Sequence, residues 1–396
     1  MLKRLLSLLA QGWIILGITV LLLFVSDQLL RLVLPAPAGD APVDAALQAP
    51  PREQADAVAA DDWISQYWRE HAASRYTEWH SYVYWRRRAY AGELITVDAN
   101  GFRRTPHVQP RSERRIWLFG GSTVWGTANR DSGTLAAQLE QIYLERAPEL
   151  GVRVDNFGES GYVSRQSLTA FQSALNCPEE PADLAIFLDG ANDVYAALQS
   201  GTAGLPQNED NRRREFNSSR QAGQLLRAWL LRLEGILRLA GVSTATVNES
   251  ELPTLAQAIA NHYFSQMKQA QALAIRYNVE LIYLWQPTAF DRSPPRGDEA
   301  AIVGASSALH VQLQRLSTRQ VSTLHQRAQL SPILPLADLP AIFDGSNDPV
   351  FFDFVHLSEA GQRILAEQLY QLSVERLRQR PPRQLPLAQC HDRPLG

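Results

Sequence analysis

Four short stretches of this chain carry side chains whose types and spacing could act together on one substrate. In "RRIWLFGGSTVWGT" (114–127) an apolar run ends in Gly120 and Gly121 and is followed at once by the hydroxyl of Ser122. Glycine lets the backbone turn sharply there, which leaves the hydroxyl at the end of the run and aims the Ser122 N–H at an anion from the start of a helix. "NFGESGYVSRQ" (156–166) places Gly161 where a backbone N–H can approach an oxyanion, and "DGAND" (189–193) offers the side-chain amide of Asn192. In "FFDFVHLSEAG" (351–361) Asp353 precedes His356 by three residues, so one short loop supplies a base and the carboxylate that orients it, ahead of a helix capped by Ser358. Each stretch taken alone suits ordinary turn and cap chemistry equally well. Val124 also stands where the lipase elbow Gly-x-Ser-x-Gly has its last glycine. The specific signal is the combination: nucleophile, oxyanion donors, orienter and base follow one another along the chain.

Such groups act together only if a scaffold brings them to one edge. Short apolar stretches at 115–119, 152–156, 184–188, 279–285 and about 332–336 alternate with helical periodicity at 133–146, 254–277, 306–329 and 358–378. The alternation predicts a parallel sheet with helices on both faces, a flavodoxin-like three-layer α/β/α sandwich with a central sheet of about five strands. Ligands of such sheets bind beyond the carboxyl ends of the strands, where Ser122, Gly161 and Asn192 all fall. "DGSND" (344–348) repeats Gly-x-Asn-Asp, but it follows no apolar strand and runs into Pro349, so it is read as the loop leading to Asp353. His71, His80, His107, His262, His310, His325 and His391 lack an aspartate three residues before them in a strand-end loop and are read as surface or packing residues. No His, Cys and carboxylate cluster has metal-ligand spacing, and no phosphate-binding glycine motif occurs, so neither a metal nor a cofactor is expected.

At the four blocks the sequence resembles the SGNH hydrolases, also called GDSL-like esterases, whose blocks centre on Ser, Gly, Asn and Asp-x-x-His. The resemblance spans roughly residues 112–375 apart from an insertion near 200–250. It implies Ser122 as nucleophile, His356 as general base and Asp353 as its orienter. Gly161, Asn192 and the Ser122 N–H are then the oxyanion donors. Gly-Gly-Ser replaces the name-giving Gly-Asp-Ser, which removes a carboxylate that is not one of the family's four catalytic groups. Two rivals share these residues: an O-acyltransferase that passes the acyl group to a sugar, and a carbohydrate-binding or scaffold protein that keeps the fold without turnover.

The rest of the chain says where such a domain works. The chain has 396 residues, 45% apolar, with a formal net charge of −3, which supports a sizeable core and gives no basic field for nucleic acid. Residues 5–26 carry no charge and are long enough to cross about 30 Å of hydrocarbon as a helix. Lys3 and Arg4 before it, against Asp27, Asp40 and Asp44 after it, predict a cytoplasmic N-terminus. An inner-membrane protein whose body lies in the periplasm is therefore expected, with an acylated glycan or small ester as its substrate. Residues 1–34 form the tail and anchor and 35–61 an Ala/Pro-rich linker. An aromatic and arginine-rich extension covers 62–111, the catalytic domain 112–378 and a tail 379–396. In the extension, Trp63, Trp68, Trp79 and Trp85 stand among arginines, which suits packing onto the domain and also stacking on sugar rings. The insertion holds an amphipathic stretch at 225–241, read as packed on the domain, as a lid or as a membrane-surface helix. Cys177 and Cys390 are expected to pair, because the helix after Ser358 returns the chain to the sheet edge where Cys177 lies.

Overall fold

The computed structural model describes residues 63–107, 113–176, 182–218, 247–292, 295, 299–328, 340–343, 346, 350–382 and, near the N-terminus, residues 13, 15, 17–19, 21–22 and 25. The chain falls into two compact units, Met1–Ala41 with Asp210–Ala245, and Pro42–Glu209 with Thr246–Gly396. In the first, the described residues from Trp13 to Val25 are helical and exposed. Among the described residues no helix is long and apolar enough to cross a membrane, and the segment expected to do so falls largely outside them. The linker, the stretch 225–241, the strand expected at 332–336, the loop residue Asn347 and both cysteines also lie outside the described residues.

The second unit opens with helix α1 (Trp63–Ser74), a hairpin of β1 (Thr77–His80) and β2 (Tyr84–Arg87), and a short pair, β3 (Tyr90–Ala91) and β4 (Thr96–Val97). The sheet follows: β5 (Arg114–Gly120), β6 (Val152–Asn156), β7 (Leu184–Asp189) and β8 (Glu280–Trp285). All three pairings are parallel, and the order is β6-β5-β7-β8. Four strands are thus described where about five were expected. Their order reverses between β5 and β7, which opens a crevice beyond the carboxyl ends of those two strands.

The two inner strands β5 and β7, with β8, read as near-continuous apolar runs because both faces are covered, whereas the edge strand β6 (VRVDN) alternates. Phe119, Phe187 and Tyr283 are register neighbours on adjacent strands, with ring centroids 4.9 and 4.6 Å apart. Phe171 of α4 (Ser164–Ala174) and Tyr263 of α7 (Leu252–Tyr277) cover that face. The alternate residues Ile116, Leu118, Ile186 and Leu188 are equally buried. Helix α3 (Leu135–Arg146) packs against α10 (Glu359–Arg378), the Tyr143 hydroxyl lying 2.6 Å from that of Ser373. The remaining described helices are α2 (Ser122–Trp125), α5 (Ala191–Ser200), α6 (Glu209–Ser218), α8 (Glu299–Ala305) and α9 (Ala308–Ala328).

Candidate active site

β5 delivers Ser122 to the crevice through its two glycines. The serine is 6% exposed, and its Oγ lies 2.7 Å from His356 Nε2. His356 Nδ1 lies 2.6 Å from Asp353 Oδ2, and the same carboxylate accepts the backbone N–H groups of Val355 and His356 through Oδ1, each at 2.8 Å. Burial alone would raise the Asp353 carboxyl. The adjacent His356 ring and these hydrogen bonds outweigh it and hold the group below the usual aspartate range. An ionised Asp353 fixes the proton of His356 on Nδ1, leaving Nε2 to accept from Ser122.

The loop that carries His356 is tied to the sheet from two sides. Thr123 Oγ1 donates to Val355 O at 3.0 Å, and Gln286, the first residue after β8, donates to Thr123 Oγ1 at 2.7 Å and to Val355 O at 3.3 Å. Ala289 N donates to Phe354 O at 2.9 Å. Gln286 escaped the sequence reading, although a polar residue at the carboxyl end of the fourth strand was a signal in the same class as the others.

The oxyanion side converges on the same turn. Glu159 N donates to Gly120 O at 3.1 Å, and Asn156 Nδ2 donates to Val124 O at 2.8 Å, which lays the loop after β6 beside the nucleophile. In that loop Gly161 has φ +78°, a conformation costly for any residue with a Cβ. Asn192, in the first turn of α5, donates through Nδ2 to Tyr162 O at 2.9 Å. A Cβ built on Gly121 would lie 2.3 Å from Asn192 Nδ2 and 3.5 Å from Tyr162 O. The amide of Asn192 therefore occupies the space a side chain would need before Ser122, which is a physical reason for Gly-Gly-Ser here. Ser122 and Asn192 thus meet at one turn through Gly121, and Gly161 precedes the Tyr162 carbonyl that Asn192 binds. Burial and the nearby Asp193 push Asp189 well above the aspartate range, so its neutral form is favoured close behind these donors.

The aromatic extension packs on this machinery. The Arg87 guanidinium lies 3.8 Å from the centroid of the Trp125 ring, and Arg103 lies 4.3 Å from it. Arg87 is paired with Glu159 (N···O 3.4 Å; side chains 1% and 3% exposed), and its N–H donates to Glu159 Oε2 at 3.0 Å. Arg103 donates to Gly126 O at 2.8 Å and Asn129 O at 2.7 Å, just after the nucleophile turn. Trp85 donates to Ser160 O at 3.0 Å, and the Tyr162 hydroxyl donates to Trp85 O at 2.7 Å. The sequence reading left these rings between packing on the domain and stacking on sugar rings, and it named neither Arg87 nor Glu159 as a support of the site. His71 is buried among Tyr67, Trp68 and Trp125, and burial with the charges of Arg87 and Arg103 pushes it well below the usual histidine range. His310 is buried between Phe290 and Phe354 and is pushed down to about 4 by burial. Both are packing residues.

No family model and no curated protein matches the sequence. Similar solved structures include an acetyl xylan esterase at 12% identity, covering 65% of this chain and 98% of that one, with a TM-score of 0.40. A catalytic mutant of an acetylxylan esterase from Geobacillus stearothermophilus matches at 13% identity (67% and 96% covered, TM-score 0.38). A putative GDSL-like lipase from Parabacteroides merdae also matches at 13% (68% and 99% covered, TM-score 0.39).

Proposed function

We propose that this chain is a serine esterase of the SGNH type that removes O-acyl groups, acetyl foremost, from a polysaccharide through an acyl-enzyme. It is held at the inner membrane by its N-terminal segment, with the catalytic unit on the periplasmic side. The observation that carries the chemistry is the unbroken chain Ser122 Oγ, His356 Nε2, His356 Nδ1 and Asp353 Oδ2, with spacings of 2.7 and 2.6 Å.

His356 takes the Ser122 proton as Oγ attacks the ester carbonyl, and the carbonyl oxygen becomes an oxyanion facing the N–H groups of Ser122 and Gly161 and the Asn192 amide. Collapse expels the alkoxide, which takes the proton from His356 and leaves an acyl-Ser122. Water, deprotonated by the same imidazole, then releases the acid and restores the serine. Support for a sugar-bearing substrate comes from the β1–β2 hairpin. Trp79 and Tyr82 are 71% and 86% exposed there. Ring centroids run from Trp79 to Tyr84 (5.5 Å), Trp85 (6.5 Å) and Tyr162 (5.7 Å), ending beside Gly161. The exposed rings of Trp79 and Tyr82 suit sugar faces, on a hairpin whose buried Trp85 packs against Tyr162 beside Gly161, and the hairpin's Glu78 and Arg88 neutralise each other (2.8 Å).

The test is acetate release from acetylated oligosaccharides and p-nitrophenyl acetate by the full chain and by Ser122→Ala. Loss of several orders of magnitude in rate with an unchanged melting curve is expected. Activity that survives the substitution refutes the mechanism.

A further inference from the structure

We propose that Gln207 is a positioning residue of the oxyanion hole, locking the Asn192 carboxamide with one N–H aimed at the developing oxyanion. The proposal rests on the ester-cleaving reading above.

The hydrogen-bond logic leaves Asn192 a single orientation. Tyr162 O can only accept, so the Asn192 atom 2.9 Å from it is Nδ2, and one of its two N–H bonds is spent there. The other N–H remains for an oxyanion. Oδ1 of the same amide can only accept, and Gln207 Nε2 donates to it at 3.1 Å. Gln207 is buried, and its carbonyl end lies over the second oxyanion residue, since a Cβ on Gly161 would sit 3.2 Å from Gln207 Oε1. One side chain therefore bonds Asn192 and borders the space beside Gly161 that a Cβ would enter. The terminal torsion of an asparagine is soft, and without Gln207 only Tyr162 O restrains it. A second anchor converts a mobile donor into a preorganised one, which is how oxyanion donors gain their effect. Gln207 lies outside the four blocks, 15 residues after Asn192.

A double-mutant cycle on the full chain in detergent micelles, read as p-nitrophenyl acetate hydrolysis, tests this. Gln207→Ala is expected to lower kcat about 10-fold with KM within about twofold, because the donor is kept but loosened. Asn192→Ala is expected to lower kcat by roughly 10²-fold or more. In the Asn192→Ala background, Gln207→Ala is expected to change kcat less than about twofold, because its only route of action is gone. Gln207→Glu adds a signature that a structural role would not produce. Protonated, the new carboxyl still donates to Asn192 Oδ1; ionised, it repels Oδ1 and pulls Nδ2 away. Its activity should therefore fall toward alkaline pH, where the wild-type enzyme is most active. Equal losses from Gln207→Ala in both backgrounds, no loss in the wild-type background, or a wild-type pH profile in Gln207→Glu overturns the proposal. Failure of the parent reading is distinct, because Ser122→Ala or Asn192→Ala would then retain full activity.

Discussion

Gly121→Ala separates an oxyanion hole from a mere glycine turn. Gly121 has φ −82° and ψ −154°, an extended conformation with negative φ, so the left-handed penalty that reserves a position for glycine does not apply. The added Cβ would stand 2.3 Å from Asn192 Nδ2, whereas ordinary contact begins at 3.4 Å, so the amide must retreat by about 1 Å. That shift stretches the 2.9 Å bond to Tyr162 O and moves the second N–H off the oxyanion position. A displacement of this size costs about 10²-fold in rate, and complete loss of one oxyanion donor costs roughly 10²–10³-fold. The expected result is therefore a fall of about 10²-fold in kcat on p-nitrophenyl acetate, with KM and the circular dichroism spectrum unchanged. Gly121→Asp, which recreates the name-giving Gly-Asp-Ser, should do worse, because its side chain is larger and carries a charge of the same sign as the oxyanion. If either variant keeps activity within about threefold of wild type, Asn192 is not the donor and the oxyanion argument fails.

Arg87→Ala takes the guanidinium from the buried Glu159 carboxylate, which keeps the backbone N–H groups of residues 87 and 160, and should destabilise the fold by about 3 kcal/mol, the low end for a broken buried pair, read as a lower urea midpoint; a midpoint at the wild-type value would show that the pair supports nothing. Activity should rise with pH across roughly pH 5–8 as His356 loses its proton, and a flat kcat/KM profile there rules out a histidine base. The depressed Asp353 works in the same direction on stability: its contribution is present above the carboxyl's unfolded pKa and is lost as pH falls through the lower folded value. Asp353→Asn should therefore flatten the acid side of the stability profile, measured as melting midpoint against pH. Trp79→Ala with Tyr82→Ala should lower kcat/KM about 10-fold on acetylated oligosaccharides, at about 1–2 kcal/mol for lost ring contacts, while sparing p-nitrophenyl acetate; a parallel loss on both substrates would remove the hairpin from substrate binding.

By itself the sequence determined the local parts. Apolar runs placed β5, β7 and β8 within a residue or two of where they lie, and the Val152 and Val154 alternation placed β6, because strands buried in a sheet leave a short apolar signal bounded by turn residues. The spacing within FFDFVHLSEAG put Asp353, His356 and the Ser358 cap in one loop, since three residues leave the chain little freedom. Glycines at positions 121 and 161 announced close approaches, though not to what. Only the tertiary structure decided that the Asn192 amide fills the space beside Gly121, that Arg87, distant in the chain, pairs with Glu159 in the loop after β6, and that Gln207 donates to Asn192. Those contacts join residues 15 to 72 positions apart, and no periodicity or turn rule encodes them. A pattern along the chain reports which face an element buries, whereas a hydrogen bond between elements depends on how the finished layers are set against one another.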